Sequence, residues 1–152
     1  MGKMNLSGVW NGAYEYGIEY GQKLAGKITK FILVLEDDNG EFSGYCVDEY
    51  DDDNEIIKAD IKGFFNGSLI SFIKQYPFRI VHDKEGKRLI DKEETHHEIE
   101  YTGYYDKTYK NFEGTWQMII RTKVSRFGGF KIQKIFEQSL NGKWEMRKAD
   151  ES

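Results

Sequence analysis

The chain has 152 residues, is 39% hydrophobic and 15% aromatic, and carries a formal net charge of −4. That length suits a single domain around one core, expected to span residues 1–152. The mixed charge leaves no basic footprint for nucleic acid or an anionic membrane surface, so neither is an expected partner.

Cys46 is the only cysteine, which excludes an intramolecular disulfide, and it sits in a strand-like run where a small buried hydrophobe is the ordinary role. The opening MGKMNLSG has no apolar stretch of signal-peptide length, and no run of about 18 apolar residues occurs anywhere. A cytoplasmic location is the expectation.

Apolar residues recur with period two and β-formers dominate, which predicts an all-β fold. The expected strands run Val9 to Ile18, Lys27 to Glu36, Glu41 to Asp48, Ile56 to Phe65, Leu69 to Tyr76, Glu98 to Tyr105, Asn111 to Arg121 and Gly129 to Gln138. Asp38-Asn39-Gly40 and Asn66-Gly67 read as hairpin turns, so strands adjacent in sequence pair in space. The charged stretch His82 to Thr95 is a long insert between strands five and six. It reads either as a loop or as an extra hairpin using Phe78 to Val81 and Arg88 to Ile90. The tail NGKWEMRKADES opens on a turn signal, which would leave Trp144 as a cap on one barrel end and the last residues frayed.

Placing alternate residues on one face collects Trp10, Gly12, Tyr14 and Tyr16, then Phe42, Gly44 and Cys46, then Ile57 through Phe65 on odd positions. The face continues through Ile70, Phe72, Lys74 and Tyr76; Ile99, Tyr101, Gly103 and Tyr105; Phe112, Gly114, Trp116, Met118 and Ile120; and Phe130, Ile132, Lys134 and Phe136. Glycines sharing a face with large aromatics fit a sheet that coils and closes, because glycine relieves crowding while the rings fill the vacated volume. The predicted architecture is an eight-stranded antiparallel up-and-down meander barrel. A sandwich with glycine bulges is the alternative.

The segments SGVW, FSGYC, IKGFF, YTGYYD and FEGTW, set on an eight-strand meander, resemble the calycin superfamily, the lipocalin-like and avidin-like small barrels. Gly8 to Trp10 is similar to the lipocalin signature, which implies that Trp10 packs into a closed barrel end; the late GTW looks more like avidin. No biotin-contacting residue is carried over. Glu19 to Ala25 is too short for the two helices of the fatty-acid-binding branch.

A barrel of eight strands is just wide enough to be filled by side chains or to hold one small ligand. Lys74 and Lys134 among Tyr14, Tyr16, Tyr76, Tyr101, Tyr105 and Trp116 form the candidate ligand-binding set, since polar tips among rings orient a small molecule. A cationic head among phenols favours a small, partly apolar ligand with a carboxylate or enolate-like group. Equally, the lysines can sit near the rims with their heads in water and the tyrosines can be ordinary core.

His96 and His97 point opposite ways on a strand, and no spaced His, Cys and carboxylate cluster suggests a metal. The acidic run Asp48 to Glu55 lacks EF-hand spacing and reads as a solvated loop. No nucleophile elbow or phosphate-cradling loop is present, so no catalytic residue and no cofactor are assigned. Three readings remain. The first is a small-molecule-binding barrel. The second is a filled barrel that interacts or self-associates, as a homo-oligomer, through outward Tyr45, Phe64, Ile73, Tyr104 and Ile119. The third is an enzyme using an interior tyrosine or lysine.

Overall fold

The computed structural model describes residues 4–18, 24–49, 57–82, 88–91, 97–124 and 134–149, without the side chains of 79–82, 88–91, 120–124 and 134–138. Among the described residues ten strands follow one another: β1 Gly8–Tyr16, β2 Ile28–Asp38, β3 Glu41–Glu49, β4 Lys58–Phe65, β5 Leu69–Gln75, β6 Arg79–His82, β7 Arg88–Asp91, β8 Ile99–Asp106, β9 Asn111–Val124 and β10 Lys134–Lys148. Eight of them close into an antiparallel up-and-down barrel in the order β1-β10-β9-β8-β5-β4-β3-β2, and β6 pairs only with β7. The β6–β7 pairing is the extra hairpin of the two readings of the insert, whose residues 83–87 and 92–95 lie outside the described ones. The sandwich alternative is excluded.

Local chemistry explains the tight connections. Between β2 and β3, Asn39 and Gly40 both take positive φ, 55° and 97°, the backbone that a two-residue hairpin demands. Between β4 and β5, the Asn66 side chain accepts from the amides of Ser68 and Leu69 at 3.1 and 2.8 Å, fixing the turn.

One expectation fails at the C-terminal side. Asn141-Gly142 is no turn: β10 runs unbroken from Lys134 to Lys148, pairing with β9 along its length and with β1 from Gly142 to Lys148. A turn there would have left β1 without its second neighbour and the barrel open. Trp144 is accordingly an interior residue, 3% exposed, and not a cap. The predicted start of this strand, 129–133, lies outside the described residues.

Gly142 sits mid-strand for a packing reason. A Cβ there would collide with the Glu15 carbonyl oxygen and approach Trp116 Cε2 to 2.6 Å. Gly103 likewise makes room for Trp144, whose Cζ2 would lie 2.8 Å from an added Cβ, and Gly103 pairs directly with Gly114 on the next strand. Rings therefore occupy the space the glycines vacate, as the sequence pattern required.

The two barrel ends differ. At one end lie the tight turns at 39–40, 66–68 and 107–110; at the other β1 ends and β2 begins, β3 ends and β4 begins, and β5 ends and β8 begins, each pair joined by a longer connection in the sequence. The tight-turn end is sealed by the N-terminal segment. Leu6 is fully buried, its amide donates to Asp37 Oδ2 at 2.8 Å, and its carbonyl accepts from Trp10 Nε1 at 2.9 Å. Trp10 packs on Phe112 at 5.5 Å between centroids, and Phe112 on Phe65 at 5.3 Å.

Candidate functional site

The interior changes character along the barrel axis. Toward the sealed end it is apolar except for Asn111, whereas the other three of the four buried polar side chains among the described residues, Thr29, Asp48 and Lys74, lie toward the long connections. Each arrives there by strand alternation: Asp48 follows Phe42, Gly44 and Cys46 on the inner face of β3, and Lys74 follows Ile70 and Phe72 on that of β5.

Lys74 and Asp48 form an ion pair at 2.7 Å between Nζ and Oδ1, although β4 separates their strands. Lys74 is 1% exposed and Asp48 8%. Cys46 Sγ donates to the same Oδ1 at 3.5 Å, and the Tyr76 hydroxyl donates to Oδ2. The Lys74 ammonium also lies over three rings, 4.8 Å from the centroids of Tyr14 and Tyr76 and 6.0 Å from Tyr101. Such cation–π contacts gain strength where water is excluded. They hold the long lysine stem in one place.

Around this centre Tyr14 and Tyr16 bring their hydroxyls within 3.5 Å. Trp116 stands edge-on to both rings at 6.2 and 6.3 Å, and its Nε1 donates to the Glu15 carbonyl at 3.1 Å. Tyr101 stacks on Phe72 at 4.7 Å and 10°, and Trp144 meets both edge-on. Burial pushes the Tyr16 hydroxyl above the usual phenol range. The Cys46 thiol is driven well above its ordinary value, first by burial and then by Asp48 against the opposing effect of Lys74. Both groups are therefore protonated at neutral pH.

Of the eight candidate residues, the structure gathers Tyr14, Tyr16, Lys74, Tyr76, Tyr101 and Trp116. Tyr105 is not among them: it is partly buried at the sealed end, where its ring packs on Phe112 at 5.0 Å. Lys134 is placed by its backbone opposite Val124, where β9 and β10 pair only with each other beyond the barrel wall; its side chain lies outside the described ones. The rim placement that the sequence allowed for the lysines is overturned for Lys74, whose head reaches no water.

Asp48 was the residue sequence reasoning missed, because it opens the acidic run read as a solvated loop. It belongs to β3 and is the counter-ion of the site. Its parity with Phe42 and Cys46 was the signal. Thr29, on the inner face of β2, was also missed. Among the described residues no three His, Cys, Asp or Glu side chains group as metal ligands.

The arrangement can fix a polar group by hydrogen bonds and charge while enclosing an apolar body between rings. In it the Cys46 thiol and the Tyr16 phenol are held protonated, and the buried Lys74 ammonium sits on the Asp48 carboxylate. No protein-family model, no curated protein and no solved structure matches this chain.

Proposed function

We propose that this chain is a calycin-like small-molecule-binding protein that holds a small, partly apolar ligand in the long-connection half of its barrel. The observation that carries the reading is the interior Lys74–Asp48 pair with its tyrosines. A buried ion pair gains little or nothing in stability over well-packed hydrophobes of the same volume, so stability alone does not account for it. Polar groups among rings at the end with long connections are what a ligand site needs. Asp48 already supplies the negative charge opposite Lys74, which moves the expected ligand from an anion toward an uncharged molecule with a hydrogen-bonding end.

A filled barrel acting as an interaction module is the second reading, favoured by Phe64 and Tyr104 exposed on the outer wall. Native mass spectrometry of protein purified without denaturation separates the two. The binding reading expects a retained small molecule, or a change in tryptophan emission on titration with N-phenyl-1-naphthylamine that is lost in Lys74→Met. A bare chain whose emission this probe leaves unchanged sinks it.

A further inference from the structure

Four Asn-Gly pairs occur in the chain, at 11–12, 39–40, 66–67 and 141–142. A glycine after asparagine leaves the next backbone nitrogen unshielded, so that nitrogen can approach the side-chain amide carbon. Attack then requires a backbone able to rotate, a nitrogen not already engaged, and stabilisation of the charge that appears on Oδ1. The fold separates the four pairs on every one of these requirements.

Asn11-Gly12 and Asn141-Gly142 lie within strands. Asn11 and Gly12 pair with β10 on one side and β2 on the other; Asn141 and Gly142 pair with β9, Gly142 also with Tyr16 of β1, and the Asn141 carbonyl accepts from the Gly17 amide at 2.8 Å. Turning the glycine nitrogen toward the asparagine side chain would break these ladders and leave backbone groups unpaired. Asn39-Gly40 is a turn, yet the Gly40 amide donates to Asp37 Oδ1 at 2.9 Å and Asn39 Nδ2 donates to Asp38 Oδ1 at 3.3 Å. Two carboxylates beside that nitrogen oppose the negative charge it must carry to attack.

Asn66-Gly67 differs in each respect. Both residues are exposed in the turn between β4 and β5, and Gly67 has a φ of 101°. No hydrogen bond among the described residues uses the Gly67 amide. Asn66 Oδ1 accepts from the Ser68 amide at 3.1 Å and from the Leu69 amide at 2.8 Å. These two donors fix which end of the side chain is the oxygen. They also draw electron density from Cγ and already stand where an oxyanion would need them.

We propose that Asn66 is a site of spontaneous deamidation, favoured over the other Asn-Gly pairs by this cradle of backbone amides. The Gly67 nitrogen, having given its proton to hydroxide, bonds to Asn66 Cγ, and Oδ1 takes the electron pair under the amides of Ser68 and Leu69. The Cγ–Nδ2 bond then breaks, and the departing nitrogen takes a proton from water and leaves as ammonia. Water opens the resulting cyclic succinimide at either carbonyl, giving aspartate or isoaspartate at position 66. The sum is amide plus water to carboxylic acid plus ammonia, with nothing oxidised or reduced. Either product adds one negative charge to the formal −4 of the chain. As aspartate, the new carboxylate keeps both amides in charge-assisted bonds and preserves the turn. As isoaspartate, the main chain gains a methylene where the Asn66 amide donates to the Leu69 carbonyl at 3.1 Å, and the turn is disrupted. The site lies at the sealed end and stands or falls apart from the ligand reading.

The test is peptide mapping by mass spectrometry of the wild-type protein incubated at mildly alkaline pH, with all four Asn-Gly peptides read from one digest and Asn66→Asp marking the aspartyl product. In the folded protein Asn66 is expected to convert at least about tenfold faster than Asn11, Asn39 or Asn141. In urea strong enough to unfold the chain that lead collapses, because the ladders, the aspartate contacts and the cradle are gone together. Ser68→Pro, which removes one donor and keeps Asn66-Gly67, slows conversion at 66 several-fold, with near-UV dichroism showing that the variant is folded. Any of the other three pairs converting as fast as Asn66 in the folded protein overturns the proposal. So does a lead undiminished in urea, which places its cause in the neighbouring sequence, or a folded Ser68→Pro variant that converts as fast as the wild type.

Discussion

Lys74 and Asp48 meet at 2.7 Å inside the barrel from two strands that do not pair with each other. The bond ties β3 to β5 across the inner side of β4, and Tyr76 adds a second link to the same carboxylate. Removing one partner leaves the other charge in a space water does not reach, which typically costs about 3–5 kcal/mol. Asp48→Asn and Lys74→Met are therefore each expected to lower the unfolding free energy by about that amount in urea titrations. The double variant Asp48→Asn with Lys74→Met should lose clearly less than the sum. Strict additivity of the two single losses would contradict the coupling.

The glycine positions make a separate prediction. Gly142→Ala places a methyl group against the Glu15 carbonyl and the Trp116 indole, and Trp116 is anchored by its bond to that same carbonyl. Overpacking of this kind costs about 1–3 kcal/mol. The expected result is a lower urea midpoint together with a shift in tryptophan emission, because the ring must leave its place. A control with Gly26→Ala, whose added Cβ meets nothing within 4 Å, should leave the emission alone; its positive φ of 83° would still cost some stability. An unshifted emission in Gly142→Ala would show that Trp116 does not depend on that gap.

Much of this architecture was legible because a period of two on strands is a direct record of which side chains face inward. Trp10, Tyr14, Phe72, Tyr101 and Trp116 were all placed on the lining by counting alone, and all are buried. The second strand resisted that count because Phe31-Ile32-Leu33-Val34-Leu35 is apolar on both faces. Only the barrel shows that the odd positions are its core. Asp48 was hidden by its neighbours, since a carboxylate beside more carboxylates looks solvated. Its partner lies 26 residues away, a distance across which no local pattern reaches. The misread Asn141-Gly142 shows the same limit: a turn-forming dipeptide is a local signal, and the demand of β1 for a second neighbour overrode it.

The protonated thiol and phenol in the interior set how stability responds to alkali. Cys46 has an ordinary value of 9.0 and Tyr16 of 10.0, and burial raises both in the folded protein. Below those values each group is protonated in the folded and unfolded chains alike, so its contribution is constant. As pH rises past 9 and then 10, the unfolded chain releases protons that the folded one retains, and unfolding gains free energy. Each such group can contribute a slope of up to about 1.4 kcal/mol per pH unit. The urea midpoint is therefore expected to hold steady from neutrality to about pH 8.5 and to fall above it. Cys46→Ala should remove the earlier part of that fall and Tyr16→Phe the later part. A midpoint that falls identically in the wild type and in both variants would place the alkaline sensitivity on other groups.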